Sequence, residues 1–348
     1  MGDPAASRPW RRRLSLAAVL GGLALLGMAG GLLARHWSAP PVYRYVLGEP
    51  VPTAELEPLA QQLTVRRASV VSDDSATPLA ELEVADSGGG PVLVRWQSRV
   101  DDPFLTLGIA PKDVDALAGV LKRHVPAERV VLSWWDTARQ FQLLAGANVA
   151  FDQHLGTPLF VPSRWQASRA RVEAIEQAFW RAGAEPDERL AAQQQRFQRF
   201  ADALLAPEAE GLRALQALAG GKTAVLVLHL RDIILLGQMA PERLGVAFQD
   251  FGASGDVHGM VRGVHSWLDQ HKYHAYSVLQ GPGQPIRAIA LTDEPSGKTL
   301  AARLLPFMGN EQSDVAGATL VYQVGGFSVF EIAPAEATAA LDAAARPR

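Results

Sequence analysis

The first hydrophobic segment of the chain is also its longest. Residues 14–34 (LSLAAVLGGLALLGMAGGLLA) carry no charge and one serine. At 1.5 Å per residue, a helix of that length crosses about 30 Å, the hydrocarbon thickness of a bilayer. Prolines at 40, 41, 50 and 52 make residues 40–52 read as an extended stalk, and a helix is expected over 53–63. Residues 87–91 (SGGGP) read as a turn or loop ahead of a strand over 92–96. Over 112–124, Val114, Leu117, Val120 and Leu121 fall on one helical face. The run 129–135 (RVVLSWW) is short, apolar and rich in β-formers, as a strand covered on both faces should be. A helix over 137–145 ends at Gly146, and a strand restarts over 148–151. Strand, helix, strand at these lengths is a βαβ unit, which predicts a parallel sheet.

From 166 to 218 the pattern is helical almost throughout, broken at 183–186 and at Pro207. Phe197, Phe200, Ala201, Leu204 and Leu205 make a narrow apolar stripe, and the glutamines at 193–195 read as a solvated face. Alternation then returns. Strands are expected at 224–230, 244–248, 275–279, 286–291, 320–324 and 328–332, with helices at 257–272 and 297–305. The fold class is therefore α/β: one N-terminal transmembrane helix, then a mostly parallel-sheet region. That region forms two lobes, 53–165 and 220–333, with a helical segment at 166–219. One sheet with a helical insertion between its halves fits the same alternation. The Ala-rich stretch from Pro334 reads as a terminal helix that frays.

Charge orients the first segment. Arg8, Arg11, Arg12 and Arg13 precede it with only Asp3 opposing, so residues 1–13 should stay in the cytoplasm and the C-terminal bulk should lie outside. A cleaved signal peptide is the rival reading, but the apolar run is long for one and no clear A-x-A site follows. Arg11-Arg12 also resembles part of a twin-arginine signal, and the spacing of Gly27 and Gly31 suits close helix packing. The 348 residues carry a net charge of −3 and no basic stripe after the first helix, which argues against nucleic-acid binding. The sequence has no cysteine, which excludes disulfides, iron–sulfur ligation, thiolate zinc sites and covalent c-type haem attachment.

Two constellations could carry chemistry. Trp134, Trp135 and Asp136 stand at the carboxyl end of an expected buried strand, the edge where open parallel sheets bind ligands. Asp136 can cap the next helix, with two packed tryptophans beside it. It can equally be the polar anchor of an aromatic wall that holds a small ligand or peptide. His258 and His265 lie seven residues apart on one helix flank with Asp269 nearby, and could bind a metal. Two turns, however, separate the histidines by about 10.5 Å of rise, so solvated or capping histidines fit as well. His271 and His274 add nitrogens near the helix end. Gly221-Lys222-Thr223 mimics a P-loop end but enters a strand instead of leaving one, and no nucleophile elbow or H-E-x-x-H pair occurs. No catalytic residue and no cofactor is assigned, and a small-molecule or metal-dependent activity using Asp136 or the His258 and His265 flank remains the enzyme alternative.

Residues 133–160 (SWWDTARQFQLLAGANVAFDQHLGTPLF) resemble the WWD segment of oligosaccharyltransferase catalytic subunits, which lies in an extracytoplasmic α/β domain and helps bind acceptor peptide. Thr137-Ala138 stand where that family has Tyr-Gly, and its catalytic acids sit on many membrane helices, so the likeness implies fold and not glycosyl transfer. A broader resemblance combines the N-terminal anchor, SWWDTARQFQLLAG, and GDVHGMV at 255–261 followed by Trp267-Leu268. Together these resemble the hydroxylamine oxidation protein HaoB, associated with hydroxylamine oxidoreductase in ammonia- and methane-oxidising bacteria. That resemblance implies a single-pass inner-membrane protein with its domain in the periplasm. It implies an accessory role in nitrification and hydroxylamine oxidoreductase as partner.

Overall fold

The anchor-like segment and the rest of the chain separate into two units, 1–42 and 43–348. The computed structural model describes residues 27–28, 42–73, 75–87, 90–100, 105–156, 163–181, 187–252, 257–280, 285–311 and 313–335. In the first unit Gly27 and Met28 are helical; the rest of the apolar run lies outside the described residues. Among the described residues no helix is long and apolar enough to cross a membrane. The break at 183–186, Asp256, the loop 281–284 and the tail beyond 335 also lie outside them.

In the second unit the strands are β1 (Arg44–Pro50), β2 (Val65–Val71), β3 (Ala80–Ala85), β4 (Val92–Ser98), β5 (Val131–Leu132) and β6 (Ala224–His229). They continue as β7 (Val246–Phe251), β8 (Ala275–Gln280), β9 (Ile286–Leu291), β10 (Ala318–Val324) and β11 (Phe327–Ile332). The helices are α1 (Pro111–His124), α2 (Trp135–Ala145), α3 (Arg169–Trp180), α4 (Glu188–Leu205), α5 (Glu208–Leu218) and α6 (Leu230–Met239). After them come α7 (Val257–His271) and the short α8 (Glu294–Gly297) and α9 (Leu300–Leu304).

β1 to β4 form an antiparallel meander in sequence order. The expected stalk is in fact its edge strand: Arg44 to Leu47 pair with Val71 to Ala68, and Pro50 sits at the strand's end, where a missing N–H does little harm. The expected helix over 53–63 reduces to two 3₁₀ turns, Thr53–Glu55 and Ala60–Gln62. Pro58 interrupts it, lacking the N–H an α-helix would need there. β3 alternates strictly, Leu82 and Val84 inward and Glu81 and Glu83 outward. Glu83 meets Arg95, directly opposite it on β4, and Glu81 meets Arg99, just past the end of β4.

The central sheet runs β10-β11-β6-β5. The βαβ unit is present in miniature: β5 has two residues, α2 follows, and Val149 returns to bridge Val131 in parallel. β6 pairs with β5 in parallel, so strands from both sides of the helical segment share one sheet. Every other strand pairing is antiparallel, which corrects the expectation of a mostly parallel sheet. The connections explain this. β10 and β11 join through Gly325-Gly326, both at positive φ as a tight hairpin turn requires, and no crossover helix can fit in two residues. The third sheet has order β7-β9-β8, with α7 crossing between β7 and β8 and β9 inserted between them.

β6 is buried at every position because both faces of the central sheet are covered. Leu226 and Leu228 join the main core with Trp134, Phe197, Phe200 and Ile233, while Val225 and Val227 face Leu117 and Phe141. The apolar stripe of α4 is buried as its spacing requires. The glutamine run is not wholly solvated: Gln193 binds Asp152 and its neighbouring backbone, and Gln194 donates to the Leu155 carbonyl. These bonds hold the segment 150–156 that leads into the site below.

Candidate ligand cavity

β5 is so short that Trp134 falls at the N-cap of α2 and Trp135 at its first helical position. Trp134 is fully buried, its ring edge-to-face on Phe197 at 5.0 Å. Trp135 stands edge-to-face with His154 at 4.4 Å, and its indole nitrogen has no hydrogen-bond partner. Asp136 lies inside the first turn, not at the cap position: its Oδ1 accepts the Thr137 backbone N–H at 2.6 Å. Its Oδ2 accepts from the Arg231 guanidinium at 2.5 Å, and the same Nη2 also donates to Thr137 Oγ1 at 3.0 Å. The acid is thus tied to the start of α6 across the end of the central sheet.

These three residues line one cavity of about 200 Å³. Its other walls come from far along the chain. Tyr43 and Tyr45 reach in from the start of β1, Trp96 from β4, and Trp165, Glu176 and Trp180 from the segment through α3. Glu176 and Trp180 share a helix face by their four-residue spacing. The Glu176 carboxylate accepts from the Tyr43 hydroxyl, from the Tyr45 hydroxyl at 2.7 Å, and from Trp180 Nε1 at 2.7 Å. The rings form a chain: Trp165 to Tyr43 at 4.7 Å, Tyr43 to Tyr45 at 5.9 Å, Tyr45 to Trp180 at 5.7 Å. Trp180 then stacks on His154 at 5.7 Å.

The electrostatics follow from burial. Burial raises the pKa of Glu176, opposed by the three hydrogen bonds it accepts from Tyr43, Tyr45 and Trp180. Burial, and then the Glu176 charge, pushes both tyrosines well above the usual phenol range. His154 is held well below its ordinary value by burial and by the positive charges of Arg139 and Arg181. Its Nδ1 accepts the Gly156 N–H at 3.2 Å, which places the ring proton of the neutral imidazole on Nε2. Arg139 also lines the cavity; burial lowers its pKa to about 10, against the stabilising charges of Asp136 and Asp152.

The histidine constellation is not assembled in this way. His258, His265 and Asp269 are all exposed on α7, and His265 meets only the edge of Tyr276, at 6.2 Å, among its ring contacts. Among the described residues no three His, Cys, Asp or Glu side chains gather as metal ligands. The two-turn spacing keeps the imidazoles about 10.5 Å apart along the helix axis, and among the described residues no second element supplies further donors.

A family model described as "HaoA-associated protein HaoB" matches residues 9–332. The chain belongs to the HaoB family. The match takes in the apolar run at 14–34 as well as every element that lines the cavity, so the HaoB model covers anchor-like segment and folded unit together. No curated protein matches this HaoB chain. Among solved structures it is similar to the crystal structure of the C. jejuni PglB C-terminal domain, at 12% identity and a TM-score of 0.33, over 63% of this chain and 98% of that one.

Trp134, Trp135 and Asp136 were legible because they are adjacent in sequence. Glu176, Trp180, Trp165, Tyr43 and Tyr45 were not. The only local signals were Tyr43 and Tyr45 two apart, as on one strand face, and Glu176 and Trp180 four apart on a helix.

Proposed function

We propose that this chain is a membrane-anchored accessory protein of hydroxylamine oxidation that holds hydroxylamine oxidoreductase, HaoA, at the periplasmic face of the inner membrane. Membership of the HaoB family ties it to hydroxylamine oxidation and nitrification, and the family's description names association with HaoA. The family match from residue 9 to residue 332 is the observation that carries the reading. The uncharged run at 14–34 and the arginines before it support the anchor and its orientation. With no cysteine the chain cannot carry covalently attached c-type haem, which supports a role through contact and not through haem-borne electrons.

Mild-detergent purification of the tagged full-length protein from native membranes tests this. HaoA should be recovered in constant ratio, beyond an untagged control. Recovery of the chain without HaoA under conditions that preserve known membrane complexes would refute a stable association.

A further inference from the structure

Five of the chain's eight tryptophans, Trp96, Trp134, Trp135, Trp165 and Trp180, line the single cavity described above, together with Tyr43 and Tyr45. A hydrophobic core would be filled with such rings. Here they surround about 200 Å³ of open space. An engineered apolar cavity of about 150 Å³ takes up a benzene molecule, so this one has room for a small ligand and no more.

The angles between the rings matter. Tyr43 and Tyr45 meet at 81°, and Tyr45 and Trp180 at 75°, while Trp165 tilts over Tyr43 at 32°. Tyr45 stacks on Phe179 at 4.0 Å and Trp180 on His154 at 5.7 Å, so each of these two lining rings keeps one face for the cavity. Ring faces carry negative electrostatic potential, and such boxes attract cations.

The lining holds two cations and two acids. Arg231 is paired with Asp136, and Arg139 lies in the fields of Asp136 and Asp152, which are themselves bonded to Arg231 and Arg189. Glu176 differs: its partners are two phenols and an indole, all neutral. Those donors fix the carboxyl group, and because burial favours its neutral form, a cation beside it would draw it back to the carboxylate. A buried charge without a counter-ion is costly, and pairing it with a cation recovers part of that cost.

From this geometry we infer that the cavity binds a small organic ammonium ion, its cationic head boxed by Tyr43, Tyr45, Trp165 and Trp180 and balanced by Glu176. The inference does not rest on the proposed association with HaoA.

The test uses the full-length protein and follows tryptophan fluorescence during titration with tetramethylammonium and choline. The neutral isostere of choline, 3,3-dimethylbutan-1-ol, is run alongside. Saturable binding is expected for both cations, with the isostere weaker by about tenfold or more. Glu176→Gln keeps the side-chain shape and should weaken the cations by a similar factor while leaving the isostere nearly unchanged. Trp165→Leu removes a wall without touching the Glu176 hydrogen bonds, and should weaken the cations even if Glu176→Gln fails to fold. Equal binding of choline and its isostere would overturn the inference. So would unchanged cation binding in either folded variant, or no saturable response below about 10 mM.

Discussion

Replacing Asp136 with alanine separates two roles that the sequence alone left open. If the carboxylate only serves the first turn of α2, its loss costs about 1 kcal/mol. The Arg231 pairing predicts more. The Arg231 side chain is 9% exposed, and without Asp136 its remaining partners are Thr137 Oγ1 at 3.0 Å and the Asp232 carboxylate at 3.7 Å. Stripping the partner from a buried charge costs roughly 3–5 kcal/mol. The Asp136 side chain is 31% exposed, so water reaches this end of the pair and the lower bound applies. With the first-turn loss added, Asp136→Ala should lower stability by about 3 to 4 kcal/mol. In an Arg231→Met background only the first-turn loss remains, about 1 kcal/mol, leaving a coupling of about 2 to 3 kcal/mol. Urea unfolding of the four proteins, followed by tryptophan fluorescence, measures each corner of the cycle. An equal loss in both backgrounds would refute the ion pair's role and leave Asp136 as a helix-end residue.

A buried pair at the junction of β6 and α6 predicts opposed pH dependences. Burial, then the Arg231 charge, lowers His229 from its ordinary 6.5 to about 3, so between these values the folded state binds fewer protons and stability falls as pH drops. Burial raises Asp232 from 3.8 to about 7, so across that window the folded state binds more protons and stability falls as pH rises. The two oppose each other where they overlap. Relative to the unmutated protein, Asp232→Asn should therefore make stability rise more with pH from 4.5 to 6.5, and His229→Gln should make it rise less or fall more. Each change in slope should be at most about 1.4 kcal/mol per pH unit, and changes of the same sign in both variants would contradict the assignment. Separately, a Cβ on Gly211 would lie 2.2 Å from the Ala203 carbonyl oxygen and 2.9 Å from Leu300 Cδ2, where α5 crosses its neighbours. Gly211→Ala should cost about 1 to 3 kcal/mol in the same unfolding assay, and a neutral result would show that the crossing relaxes freely.

Much of the fold was legible where a local pattern decides the element. The run at 286–291 became β9 at the expected bounds, and the apolar face of 112–124 became α1 with one more residue at its start. β2 and β3 were missed for a physical reason. Adjacent Arg66 and Arg67 break the alternation of β2, and β3 keeps its alternation over only Ala80–Val84, with two glutamates whose partners are Arg95 on β4 and Arg99 just past it. Pairing direction was hidden only in part: Gly325-Gly326 between two expected strands is a hairpin signal that the sequence carries, whereas the insertion of β9 between β7 and β8 is a property of the assembled sheet. The site divides the same way. Trp134, Trp135 and Asp136 announced themselves as neighbours in sequence, whereas Glu176 meets Tyr43 across 133 residues.

The distribution of HaoA between membrane and soluble fractions, with the full-length chain and with a version whose residues 1–34 are replaced by a cleavable signal peptide, tests the accessory role most directly. The account predicts that HaoA sediments with membranes beside the full-length chain, and that both move to the soluble fraction together when the apolar run is removed. HaoA that keeps the same distribution in both strains would contradict it.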